Sequence, residues 1–325
     1  MRVKPIRKPL LARELYRPDP GWTLALLAYA VALLWIPATF ARLVAGSGVP
    51  AWVWVPTAAL CAAASAHGMT MCWWVGHEGL HLALDRHRWV SALLGTVVAS
   101  LVPGTFVVGY AASHWSHHRY TNERHDPEWA HFSRYRKLWA RALVAPLTAQ
   151  LWYLKDTVLL AAGRRLPYPT DLPFTSSELR LLAAANLLYS FSFALGWGIV
   201  AVRDPLAGVV SVGLPLLLAT VFAGLRPYLE HARPLGSGTT RARSRTSPLA
   251  TALSFGNNFH LEHHLYPGIP CYRLPRVHEY LERSGYLAEL GARDERSAVR
   301  SLGYARSSWP VLGREEDEWS GAGAG

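Results

Sequence analysis

Three histidine clusters carry the chemistry this chain could do. They read His77-Glu78-Gly79-Leu80-His81, His114-Trp115-Ser116-His117-His118 and His260-Leu261-Glu262-His263-His264. Within each the spacing is i, i+3 or i, i+4, which on a helix stacks side chains on one face. Each cluster therefore aims two or three imidazoles in one direction. Neutral imidazole is a common nitrogen ligand for iron, zinc, copper and nickel. One zinc takes about three or four protein ligands, so eight imidazoles suffice for two metals. The first cluster also matches HExxH, in which two histidines bind zinc and the glutamate is the general base. An intramembrane zinc protease built on His77, Glu78 and His81 is thus an alternative, although it leaves the other six unexplained. His67, His87, His125, His131 and His278 read as ordinary hydrogen-bonded core or interface residues.

The elements that must position these clusters are apolar. The chain has 325 residues, 51% apolar and 17% charged, with 14 Trp and 14 Tyr. Soluble chains average about 25% charged, and Trp and Tyr collect at membrane interfaces. Three cysteines, two of them in apolar runs, exclude a disulfide-stapled module. Residues 22–45 and 51–76 are each long enough to cross a bilayer, which takes about 20 apolar residues. Gly46-Ser-Gly-Val-Pro50 turns between them. Residues 181–202 and 206–228, joined by Arg203-Asp-Pro205, form a second such hairpin. Basic flanks before the first hairpin and after the second place both on the cytoplasmic side.

Two further apolar stretches read differently. Residues 90–112 carry Pro103-Gly104 at their middle and read as interfacial or re-entrant, because the first two clusters must share one side. Residues 138–162 are interrupted by Arg141, Pro146, Lys155 and Asp156. Mid-bilayer charge is expensive, so an amphipathic helix lying on the membrane is expected. The expectation is an all-α membrane protein of two transmembrane hairpins, four spans in all. Interfacial helices and a cytoplasmic histidine-rich cap complete it. Residues 1–306 form one domain and 307–325 a disordered tail.

With these residues in place, the chain resembles the integral-membrane fatty acid desaturase and hydroxylase superfamily. That superfamily carries HxxxH or HxxxxH, then HxxHH, then HxxHH or QxxHH; here they stand as HEGLH, HWSHH and HLEHH. The most specific stretch is Asn257-Asn258-Phe-His-Leu-Glu-His-His-Leu-Tyr-Pro267, and Asp126-Pro127-Glu128 is similarly typical.

The resemblance implies a non-haem di-iron oxygenase, most simply an acyl desaturase that takes O2 as co-substrate. A lipid or terpenoid (carotenoid) hydroxylase or ketolase is the runner-up. The ligands would be His77, His81, His114, His117, His118, His260, His263 and His264, with His231 as a ninth. In part of the family an Asn one turn before that ninth histidine holds a metal-bound water; here Pro227 stands there, so that role does not transfer. Glu78, Asp126, Glu230 and Glu262 are expected to orient imidazole N–H groups, as carboxylates often do around metals, and Asn258 to donate nearby. Trp73, Trp74 and Trp115 are candidates to line a substrate tunnel. The expected partners are a lipid or acyl-thioester substrate, the membrane, and an external electron donor such as a ferredoxin or cytochrome b5, with no nucleic acid. The net charge of +11 suits an acidic donor or anionic lipid.

Overall fold

The computed structural model describes residues 7–232, 241–292 and 295–309. The described chain is helical throughout. The first hairpin pairs α1 (Pro20–Gly46) with α2 (Ala51–Leu80). Asp19 starts α1 by accepting from the N–H groups of Gly21 and Trp22. Pro20 takes the first helical position, where a missing N–H costs nothing. The inner stripe of α1 is Leu26, Ala30, Leu34, Ala38 and Ala41, spaced to stack on one face. Its opposite face exposes Leu24, Trp35, Ile36, Phe40 and Leu43.

After α3 (Arg88–Ser100), α4 (Val107–Tyr120), α5 (Pro127–Phe132) and α6 (Ala145–Ala161), the second hairpin begins. It runs from α7 (Ser176–Arg203) through the short α8 (Pro205–Ala207) and a π-helical turn, Gly208–Gly213, into α9 (Leu214–His231). Thr175 and Glu178 form a capping box at its start. Arg42 near the end of α1 pairs with Asp204 at 2.5 Å, so the turns of both hairpins meet at one end. Leu181, Leu188, Phe191, Leu195 and Val202 of α7 are exposed. With the outer face of α1 they form an extended exposed apolar surface, of the kind that marks a membrane or partner contact.

Three of the expected four spans are long and apolar enough to cross a membrane: residues 13–46, 176–203 and 205–231. The fourth, α2, has 30 residues but is diluted by Ser65, His67 and Thr70. The expected interruption near Pro103-Gly104 is present, between α3 and α4. α7 satisfies the open backbone there. Asn186 Oδ1 accepts from Val108 N–H at 3.1 Å, Ser190 donates to the Thr105 carbonyl, and Trp197 Nε1 donates to the Leu101 carbonyl at 2.9 Å. Non-helical backbone at membrane depth requires such burial in protein.

α6 corrects one expectation. Two of its three charges do not face water, while Lys155 is exposed. Arg141, in the π-helical turn Ala140–Val144 before it, is buried and donates to the carbonyls of Tyr135, Ala305 and Ser307. Its guanidinium lies 4.1 Å from the Tyr228 ring centroid. Asp156 is buried and accepts from Tyr168. The exposed face carries Leu147, Leu151 and Val158. Protein groups rather than water solvate Arg141 and Asp156, and Lys155 lies on the exposed face with these apolar residues.

The expected tail is also corrected at its start. Ser307 is bonded to Arg141, and Trp309 is buried among Phe132, Tyr228 and His231. Residues 310–325 of that tail, residues 233–240 of the loop after α9, and the first six residues lie outside the described chain.

Candidate metal centre

Helix ends bring the histidines together. His77 and His81 close α2, His117 and His118 close α4, and His231 is the last residue of α9. The partial negative charge at a helix C-terminus favours a cation there. α11 (His260–Leu265), which follows α10 (Pro248–Ser254), supplies the third cluster. One close approach makes this convergence possible. A Cβ on Gly79, inside the first cluster, would lie 2.6 Å from Gly95 Cα on α3 and 2.7 Å from the Ser91 carbonyl oxygen.

The nine imidazoles form two adjoining groups. The donor atoms of His77, His81, His114, His118 and His263 lie within 4.8 Å of one another, as do those of His117, His231 and His264. His260 joins the second group: its Nε2 is 2.9 Å from His231 Nε2 and 3.1 Å from His264 Nε2. The groups touch through His118 and His264, whose ring centroids are 4.3 Å apart.

The outward nitrogens define which atoms face inward. His77 Nδ1 meets Glu78 at 3.2 Å, His114 Nδ1 meets Glu128 at 2.8 Å, and His117 Nδ1 meets Asp126 at 2.8 Å. His231 Nδ1 donates to the Arg241 carbonyl at 3.0 Å. In the neutral ring each Nδ1–H leaves a lone pair on Nε2. His77 Nε2 and His114 Nε2 then face each other at 3.1 Å, lone pair to lone pair. A shared cation satisfies both. Neighbouring ligands at right angles on a metal with bonds of about 2.0–2.1 Å stand about 3 Å apart, which is the spacing seen. His117 Nε2 and both ring nitrogens of His81 are buried without a hydrogen bond. The donor set therefore fits a pair of first-row metal ions.

Burial and neighbouring imidazoles push His260, His263 and His264 well below the usual imidazole range, so they stand neutral and ready to ligate. His117 differs: burial pulls it down, but Asp126 and Glu128 outweigh that and raise it to about 9. A metal must displace its proton.

The expected supporting residues divide. Glu78, Asp126 and Glu230 lie against box imidazoles. Glu78 also accepts from Cys271 N–H at 2.8 Å. It sits behind His77 and is not placed as the base of a zinc protease. Glu262 is turned away, toward Ser244 and His278 Nδ1. Asn258 is turned away too, bonded to Ser254, Thr251 and the Arg245 carbonyl. Sequence reasoning missed Glu128 as an imidazole partner and Trp309, stacked on His231 at 5.3 Å. The Asp-Pro start of α5 was a usable signal for Glu128, since it places that residue in the first turn beside the cap. Trp309 had no signal. His67, His131 and His278 are hydrogen-bonded side chains outside the nine.

A cavity of about 270 Å³ reaches the centre. His114, His231, His260, Glu128 and Glu230 line one end, and Trp73, Trp74, Val102, Leu147, Leu216 and Phe222 line the rest. Trp115 instead donates to the Leu80 carbonyl and stacks on His81.

Residues 50–294 match the fatty acid desaturase family. The fatty acid conjugase FAC2 B of Calendula officinalis is 23% identical over 239 residues, covering 65% of this chain and 63% of that relative. A Delta(9) fatty acid conjugase-like enzyme of Dimorphotheca sinuata is 23% identical over 244 residues, covering 65% and 64%. The match thus spans less than two thirds of either relative's length. The family match covers most of the chain and includes all nine converging histidines, so the chain belongs to the fatty acid desaturase family.

Proposed function

We propose that the chain is an O2-dependent di-iron oxidoreductase that desaturates a fatty acyl chain. The observation that carries this is the position of nine imidazoles at the end of a mostly apolar cavity. His77, His81, His114, His118 and His263 would hold one iron, and His117, His231, His260 and His264 the other. Bound iron, given O2 and electrons, supplies the oxidising power to take hydrogen from an unactivated C–H bond. The balance is fixed: the acyl chain gives two hydrogens, an external donor gives two electrons with two protons, and one O2 leaves as two waters. The protein's own work is to hold one methylene at the histidine end and keep water out. Trp73, Trp74 and Phe222 provide apolar wall for this, and Glu78, Asp126 and Glu128 hold imidazole Nδ1–H groups.

The topology that goes with this reading has four spans, with α2 crossing beside α1. The single domain expected over residues 1–306 extends to Trp309, which packs on His231, and the histidine end faces the cytoplasm. The net charge of +11 suits an acidic electron carrier such as a ferredoxin, or a cytochrome b5.

The test is iron per purified chain together with lipid profiling of an expressing host, native against His81→Ala. About two irons and new alkenes, both lost in the variant, are expected. Two irons with alcohols or ketones would move the reading to a hydroxylase or ketolase. Zinc bound once per chain, with neither product, would defeat it.

A further inference from the structure

The carboxylates around the imidazoles are not equivalent. Glu78, Asp126 and Glu128 each meet a ring at Nδ1, its outward edge. Glu230 meets His260 at Nε2, the inward edge, with Oε2 at 3.4 Å. The donor atoms of Glu230, His231 and His260 lie within 4.8 Å of one another, and all three residues are buried. Its other oxygen is engaged elsewhere. Oε1 accepts from Arg226 Nε at 2.8 Å and lies 3.6 Å from the Arg245 guanidinium. Arg226 is itself held over the Trp74 ring, 4.8 Å from its centroid. Two arginines thus anchor Oε1 and leave Oε2 facing the imidazoles, on the wall of the cavity.

The two imidazole groups are also unequal, five against four. Glu230 stands at the group that has fewer nitrogens. We propose that Glu230 is a ligand, through Oε2, of the metal held by His117, His231, His260 and His264. The assignment rests on the di-iron reading. It makes the centre asymmetric: one ion in an all-nitrogen site, the other in a site of four nitrogens and one anionic oxygen. A carboxylate is a harder donor than imidazole and partly neutralises a divalent ion. Arg226 and Arg245 hold Oε1 and fix which oxygen is offered.

The test loads native protein, Glu230→Gln and Glu128→Gln with 57Fe(II) and records Mössbauer spectra and iron retained after gel filtration. Native protein should hold about two irons in two distinct doublets. Glu230→Gln should change one doublet and lose that iron on the column, leaving the other doublet in place. Glu128→Gln, which acts behind His114, should disturb the other doublet. Two unchanged doublets in Glu230→Gln would overturn the assignment and show a purely charge-balancing carboxylate. Loss of both together from a folded chain would overturn it as well. Should Glu230→Gln fail to accumulate, Glu230→His offers a nitrogen at the same place, and a native spectrum from it overturns the assignment. Native protein without two irons would instead sink the di-iron reading itself, so the two failures are distinguishable.

Discussion

His117 donates its Nδ1–H to Asp126 Oδ2 at 2.8 Å, while Oδ1 of the same carboxylate accepts from the N–H groups of Glu128 and Trp129. One side chain therefore caps α5 and sets a histidine tautomer. Asp126→Asn separates these tasks. Asparagine caps a helix about as well as aspartate, so its oxygen can stay on the two backbone donors. Its NH2 group then faces His117 Nδ1 and drives the ring proton to Nε2, the atom that must bind metal. Iron affinity at that site should fall about 10–100-fold; Oδ2 also accepts from Asn122 N–H at 2.8 Å, and the unpaired donor should lower stability by about 1–3 kcal/mol. Asp126→Ala should lose the cap as well, about 0.5–2 kcal/mol. Iron titration and thermal melting of both variants check this; native iron affinity in Asp126→Asn would show that the tautomer is set elsewhere.

Gly79 ties the first histidine cluster to a packing requirement. Its α carbon rests against Gly95, and an added Cβ would come within 2.7 Å of the Ser91 carbonyl oxygen. Backbone atoms cannot swing aside as a long side chain can. Gly79→Ala must push α2 away from α3, and overpacking of this kind costs about 1–3 kcal/mol. The displacement moves His77 and His81 together, so weaker iron retention should accompany the lower melting temperature. A variant that melts lower but keeps native iron would mean that the helices separate without moving the imidazoles.

The histidine faces were legible because i, i+3 and i, i+4 spacing fixes direction on a helix. The same rule, applied fully, places Glu262 correctly. It sits two residues after His260 on α11, and positions i and i+2 do not face each other. With His260, His263 and His264 turned to the metals, Glu262 must point away, and it reaches His278 instead. Asn258 lies before the helix starts, where no periodicity applies, and tertiary bonds to the Arg245 carbonyl decide its direction. Of the charges in residues 138–162, Lys155 is exposed as expected, but Arg141 and Asp156 are not, because sequence shows that a charge exists, not what solvates it. Arg141 finds two of its three acceptors 164 and 166 residues away, a distance that no local pattern reports.

Trp309 is the other long-range contribution. Its ring stacks on His231 with planes 5° apart, its Nε1 donates to Asn122 Oδ1 at 2.8 Å, and its carbonyl accepts from Trp129 Nε1 at 3.0 Å. Asn122 has φ 63° and follows the second cluster, so Trp309 braces the backbone that leaves His118. Trp309→Ala should cost about 3–5 kcal/mol through the lost burial and loosen the iron held by His231. Trp309→Phe keeps a ring but leaves Asn122 Oδ1 without its donor, which costs about 1–3 kcal/mol. Melting of the two variants orders these effects. Equal, native-like stability would show that the contact carries nothing.

The cavity makes the final prediction. Leu216, Ala219, Ala223, Glu230 and His231 of α9 all line it. From Leu216 to His231 a helix rises about 22 Å, so the wall is long enough to sort chains by length. Ala219 stands about three turns before His231. Ala219→Phe fills the far part of the cavity and leaves the imidazoles untouched. An expressing host should then accumulate products from shorter acyl chains, at native iron content. Leu216→Ala should move the profile the other way. Lipid profiling by mass spectrometry reads both. Iron content that falls with Ala219→Phe would place the effect at the metals. An unchanged profile in both variants would show that the acyl chain does not run along α9.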